Sequence, residues 1–222
     1  MLLLTNQLEE VELYITAPLY IYKAERLSLF DKLLFTSIYG LTKTNQTTVR
    51  PDVYFMELLD KSDKTIAKSM KRLDDYGFIK RETYFNRITR KRSRKIRLVH
   101  KAREVVHAPM EIYLHDLTDG AKMLLIQLVG LSKKDGYTFV RNDELSEKMN
   151  ISVRQITRYL KELKDKEFIF LEDEQSQQRI IIVNDDLTDN SLTFESGHPF
   201  AENLLQTKEE IRMNFSYAIN EL

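Results

Sequence analysis

The chain has 222 residues, 42% of them hydrophobic and 31% charged, an ordinary balance for a globular protein, and no apolar run reaches the ~18 residues that a membrane span needs. The absence of cysteine excludes a disulfide framework, a zinc ribbon and a thiol nucleophile. Thirty-four basic and thirty-four acidic residues cancel overall, but residues 80–103 hold eleven Lys or Arg and one acid, Glu82, whereas residues 165–210 hold twelve Asp or Glu against three Lys or Arg. Local field rather than total charge decides what a surface attracts.

The opening MLLLT is followed by Glu9, Glu10 and Glu12 and lacks the basic flank and apolar length of a secretory signal, so a cytoplasmic protein without membrane attachment is expected. "APLYIY" at 17–22 then returns as "APMEIY" at 108–113, and the echo continues at a shift of 90 or 91 positions. "LLFTSIYGL" at 33–41 answers to "MLLIQLVGL" at 123–131, and "TTVRPD" at 47–52 to "TFVRND" at 138–143. Ser62, Ile66, Met70, Leu73, Phe78 and Ile79 answer to Ser152, Ile156, Leu160, Leu163, Phe168 and Ile169. Register held through apolar positions, caps and turns is the mark of an internal duplication.

Each copy is expected to form three helices and a hairpin. Ser28 caps a first helix with apolar positions Leu34, Ile38 and Leu41; Thr118 stands before Ala121, Leu124, Leu128 and Leu131. Second helices follow at roughly 52–59 and 143–149, with Asn142 placed to cap the latter. Tight turns at Asp60-Lys61 and Asn150-Ile151 deliver Ser62 and Ser152 as the next caps, and Ser152 with Gln155 makes a capping box. Third helices are expected over 63–75 and 153–165, so each pair of helices joined by the short turn makes a helix-turn-helix. With Ile66, Met70 and Leu73 inward, Lys64, Lys68 and Lys71 face out, flanked by Thr65 and Arg72. In the second copy Arg154, Arg158 and Lys161 face out, flanked by Gln155. "YGFIKRETYF" with "KIRLV", and "KEFIFLED" with "RIIIV", alternate as paired strands and complete two winged helices.

A major groove about 12 Å wide admits one such helix, where arginine pairs with guanine and glutamine with adenine. Arg154, Gln155 and Arg158 therefore suit base reading, and Lys64, Lys68 and Lys71 suit phosphate, with Lys64 or Thr65 also able to reach a base. In the first hairpin Arg87, Arg90, Lys91, Arg92, Arg94, Lys95 and Arg97 crowd together with no acid between them, a density relieved beside a polyanion. The second hairpin instead carries Glu172, Asp173 and Glu174, which should avoid phosphate.

The order "LSLFDKLLFTSIYGL", the turn within "LLDKSDKTIAKSMKRLDDYGFIKRE" and their later echo resemble the winged-helix domains of plasmid and phage replication initiators. They are also similar to winged-helix regulators encoded on mobile elements. In several theta-replicating plasmid initiators two such domains stand in tandem and bind origin repeats, which the resemblance implies for residues 13–183. The expectation is a mainly α, α+β chain of two tandem winged helix-turn-helix domains, 1–103 and 104–183, followed by a polar linker and a C-terminal helix within 184–222. Duplex DNA is the expected partner, and transcriptional regulation or protein docking are the alternatives to initiation. A near-heptad stripe at Leu204, Ile211, Phe215, Ala218 and Leu222 would pack on the second domain or serve a homodimer or a replication-protein partner.

No catalysis, metal or cofactor is expected. His100, His107, His115 and His198 show no ligand spacing, no glycine-rich phosphate loop is present, and Asp185, Asp186 and Asp189 read as a capped turn.

Overall fold

A computed structural model describes residues 14–42, 46–86, 90–132, 136–172 and 179–184. The expected C-terminal helix, the tip of the second hairpin and Arg87 lie outside the described residues. The elements run β1 (Tyr14–Pro18), α1 (Leu29–Leu41), β2 (Thr47–Thr48), α2 (Asp52–Leu59), α3 (Asp63–Asp75), β3 (Ile79–Asn86) and β4 (Lys91–Leu98). The same order then returns as β5 (Val105–Pro109), α4 (Asp119–Ser132), β6 (Tyr137–Thr138), α5 (Asn142–Met149), α6 (Val153–Asp165), β7 (Ile169–Glu172) and β8 (Ile180–Val183). The fold is α+β, with six α-helices and small antiparallel sheets among the described residues.

Local chemistry sets these boundaries. Ser28, Ser62 and Ser152 each accept the N3 amide of the helix they precede, with full capping boxes at Ser28/Asp31 and Ser152/Gln155. Asp60 and Asn150 end α2 and α5 in the left-handed region at φ 49° and 53°, which lets the chain reverse within two residues. Asn142 does not cap α5. It is the first helical residue, Arg141 occupies the N-cap without a side-chain capping bond, and the Asn142 amide is held instead by Thr157 at 3.4 Å and by Arg179.

The "TTVRPD"/"TFVRND" match is off by one. Thr47 and Thr48 pair with Arg97 and Ile96, as Tyr137 and Thr138 pair with Ile182 and Ile181, so α2 and α5 start 90 positions apart. The slip from 91 to 90 falls earlier, between the paired tyrosines Tyr22/Tyr113 and the paired leucines Leu27/Leu117.

The wing sheets have three strands, ordered β2-β4-β3 and β6-β8-β7. A further two-stranded ribbon joins the halves: β1 pairs antiparallel with β5, centred on Thr16 opposite His107. Those two residues occupy matching places in the two halves, so the ribbon has a local pseudo-twofold axis. Around it α1 packs on α4. Both first helices are therefore buried on nearly every side, Phe30 through Gly40 and Gly120 through Leu128, rather than along a single stripe.

Buried lysines repeat at this junction. Lys32 Nζ donates to the Tyr22 carbonyl at 2.6 Å and to the Met149 carbonyl at the end of α5 at 3.4 Å, and Lys122 Nζ donates to the Tyr113 carbonyl at 2.6 Å. Burial pushes Lys122 down to about 8 against the pull of the Asp119, Asp60 and Asp116 carboxylates. The symmetry is broken at one buried hydroxyl. Tyr113 Oη lies 2.7 Å from Thr36 Oγ1, whereas the residue matching Thr36 is Ile126, and Tyr22 Oη has no partner.

Candidate nucleic-acid interface

The third helices occupy 63–75 and 153–165, each directly after a left-handed turn and a serine cap. Their inner faces are sealed: Ile66, Met70 and Leu73, like Ile156, Leu160 and Leu163, are at most 2% exposed. Lys64, Lys68 and Lys71 on α3 and Arg154, Arg158 and Lys161 on α6 all stand exposed on the opposite face. The two helices thus present three cations each at matching positions.

The Arg158 guanidinium lies over the Tyr159 ring at 5.1 Å and donates to Tyr159 Oη at 3.3 Å. This interaction pre-orients a side chain whose fork suits a guanine edge. The Tyr159 ring in turn occupies the space over Gly120, where a Cβ would meet its Cζ at 2.1 Å.

The flanking residues behave differently. Arg72 donates from Nε at 2.9 Å and from NH2 at 2.6 Å to the two oxygens of Asp31, which is 0% exposed and also bonded by Ser69 at 2.5 Å. Burial drives the Asp31 carboxyl up, and the bonds from Arg72, Ser69 and Ser28 outweigh that, so it stays below the usual carboxylate range. Arg72 is thereby committed to holding α3 on α1. Thr65 is half-buried with its hydroxyl 2.9 Å from Ser62 Oγ. Gln155 accepts at Oε1 from Ser152 N at 3.1 Å and Ser152 Oγ at 2.9 Å, so the acceptor half of an adenine pairing is engaged in the cap.

On the first wing, β3 and β4 pair over eight residues, from Ile79 opposite Leu98 to Asn86 opposite Lys91. Arg90 sits exposed in the turn at φ 54°. Lys91 and Arg92 open β4, and half-buried Lys95 stands across from Glu82. Arg94 is tied by an ion pair to Asp52 at the start of α2, so this cation braces the wing against the helix-turn-helix. Arg97, the last cation of that basic run, is exposed and pairs with Glu82 at 3.3 Å, and exposed Lys80 opposite it on β3 adds a cation outside the run.

Residues 115–169, covering α4, β6, α5 and α6, match a family model described as a helix-turn-helix domain. This stretch is similar to that helix-turn-helix family. Such a domain points to DNA as the partner, and its match ends where β7 begins, so the wing lies beyond it. No curated protein matches the chain significantly. Among the described residues no helix is long and apolar enough to cross a membrane, and no group of three or more His, Asp or Glu is arranged to hold a metal ion.

Proposed function

We propose that the chain binds double-stranded DNA sequence-specifically through α3 and α6, and that it initiates replication on the iterated origin sites of a plasmid or phage, without catalysis of its own. The two units descend from one duplicated winged helix, residues 1–103 and 104–183, and residues 184–222 serve a second copy or a replication protein. The observation that carries this reading is the recurrence of three exposed cations on the second helix of a helix-turn-helix in both units. Lys64, Lys68 and Lys71 are assigned to phosphate, Arg154 and Arg158 to base edges, and Arg90 with Lys91, Arg92 and Lys95 to the backbone beside the first wing. Arg72 and Arg94 are assigned to bracing rather than to DNA.

The pseudo-twofold ribbon favours a second reading, regulation of a mobile element, because two recognition helices related by an axis suit one inverted site. Genome-wide footprinting separates the two. Iterated sites within one origin support initiation, and inverted sites overlapping promoters support regulation. On the site so found, Arg158→Ala should lower affinity roughly ten- to a hundredfold, with much less effect on random duplex. Equal losses on both would remove Arg158 from base reading.

A further inference from the structure

The sheet of the second wing turns one face to the core and the other outward. Ile169, Ile181 and Val183 are fully buried, and Phe170, Ile180 and Ile182 alternate with them on the far side. Register lines up Tyr137, Ile182 and Phe170 in one row across β6, β8 and β7. Tyr137 and Phe170 are 43% and 50% exposed, and Phe139, 56% exposed, meets the Tyr137 ring edge-on at 5.4 Å. Large apolar side chains from all three strands thus adjoin on one open face.

The first unit shows the same face without that role. Strands β2/β6 and β3/β7 match at a shift of 90, and the return strands match through Leu98 and Val183, the partners of Ile79 and Ile169. The row Tyr137, Ile182, Phe170 then answers to Thr47, Arg97, Lys80, and Ile180 answers to Lys95. Lys80 and Arg97 are exposed, and Arg97 pairs with Glu82 on that face at 3.3 Å. One scaffold carries a charged face in the first unit and an apolar one in the second. Single apolar residues on a surface are ordinary, but a contiguous row where the sister unit has charges marks a contact surface.

We propose that this face seats the C-terminal segment of the same chain, residues 201–222. The described residues end at Asn184, directly after β8, which is the middle strand of the sheet and contributes Ile182 to the row. The chain beyond Asn184 therefore starts beside the face. At ~3.3 Å per residue, the tether of residues 185–200 outreaches three strands spaced ~4.8 Å apart. Leu204, Ile211, Phe215, Ala218 and Leu222 give the segment an apolar stripe to bury. Lys208 is the charge that falls within that stripe, and Glu172, exposed on the same sheet face two residues beyond Phe170, can answer it. Attachment to the same chain keeps the stripe near the face at high effective concentration, which favours it over a free occupant. Glu202, Gln206, Glu209 and Asn220 fall on the opposite side of the stripe and stay outward for the partner that the proposed function gives to residues 184–222. The seat itself does not rest on DNA binding.

The chain has no tryptophan, so Phe170→Trp puts a single reporter in the row and Lys80→Trp puts one at the matching place in the first unit. Fluorescence emission and acrylamide quenching of each full chain are measured over a dilution series without DNA, with and without the pair Ile211→Asp and Phe215→Asp. The reporter at 170 should emit to the blue of the reporter at 80 and be quenched less, at every concentration. The paired aspartates should move it to the red and leave the reporter at 80 unchanged. Should Phe170→Trp fail to fold, Phe139→Trp reads the same face. A reporter at 170 as red and as quenchable as the one at 80 would show an uncovered face and overturn the proposal. Blue emission that ignores the aspartates would overturn it too, by giving the face another occupant. Blue emission lost on dilution, together with a dimer in sedimentation, would give the seat to a second copy instead of the same chain.

Discussion

The two units solve the same local problem, fixing the third helix on the first, with different residues. The first uses Asp31, Ser69 and Arg72, with Asp31 also capping α1 through Ser28. At the matching positions the second has Ala121, Tyr159 and Glu162, and Glu162 reaches from α6 to accept from Thr118 N and Thr118 Oγ1 at 2.7 Å each. The carboxylate has moved from the first helix to the third while keeping its capping duty. Breaking one side of a buried pair costs about 3 kcal/mol when the other charge is left without its partner. Arg72→Ala should therefore destabilise by about that amount, near the low end because the Arg72 side chain is 32% exposed. The double change Asp31→Ala with Arg72→Glu copies the second unit and should recover most of the loss in urea denaturation. A double variant no more stable than Arg72→Ala would contradict the equivalence. This role for Arg72 was hidden in the sequence, where helical spacing places it beside the exposed lysines. Its partner lies 41 positions away, and nothing local announces the pair.

At the scale of elements, left-handed residues punctuate both units at the same places: Gln46 and Gly136, Asp60 and Asn150, Gly77 and Glu167. Asp and Asn tolerate that region, but glutamate at φ 61° carries the steric penalty of its Cβ, which glycine at φ 74° escapes. Glu167→Gly should stabilise by about 0.5 to 1 kcal/mol, and Gly77→Ala should destabilise by about 1 kcal/mol or more. Thermal melts of the two variants should move in opposite directions by roughly two to four degrees per kcal/mol, and a shared direction would show that this backbone conformation is not retained. Elements with strong local signals were legible from the residues alone. The third helices begin and end where Ser62, Ser152 and the apolar spacing put them. The ribbon of β1 and β5 was not, because its two five-residue strands meet across 91 positions and their own sequences specify no partner. Two-residue β2 and β6 are strands only by virtue of their pairing with β4 and β8. The outward cationic face of α3 and α6 was legible as a set of exposed positions. Of the flanking residues, the engagement of Gln155 in the Ser152 cap was legible as a local capping box, whereas that of Arg72 by Asp31 depended on tertiary packing.

At the scale of the molecule, the ribbon, the packing of α1 on α4 and the buried lysines at the ends of these elements join the two helix-turn-helix units through one continuous core. On the DNA-binding proposal, such a junction would hold α3 and α6 at a set separation rather than as beads on a linker, and the cognate site should then be bipartite with fixed spacing. Five base pairs make about half a turn of duplex. Inserting them between the halves of the footprinted site would carry one half to the opposite face. The most direct measurement is the affinity of the intact chain for the natural site against the same site with that insertion, at one salt concentration. Two reading helices on a fixed junction predict a fall of at least about tenfold, toward the affinity left to a single unit. Unchanged affinity, together with no loss for Arg158→Ala, would contradict DNA reading by the second unit and would make residues 104–183 a docking module instead.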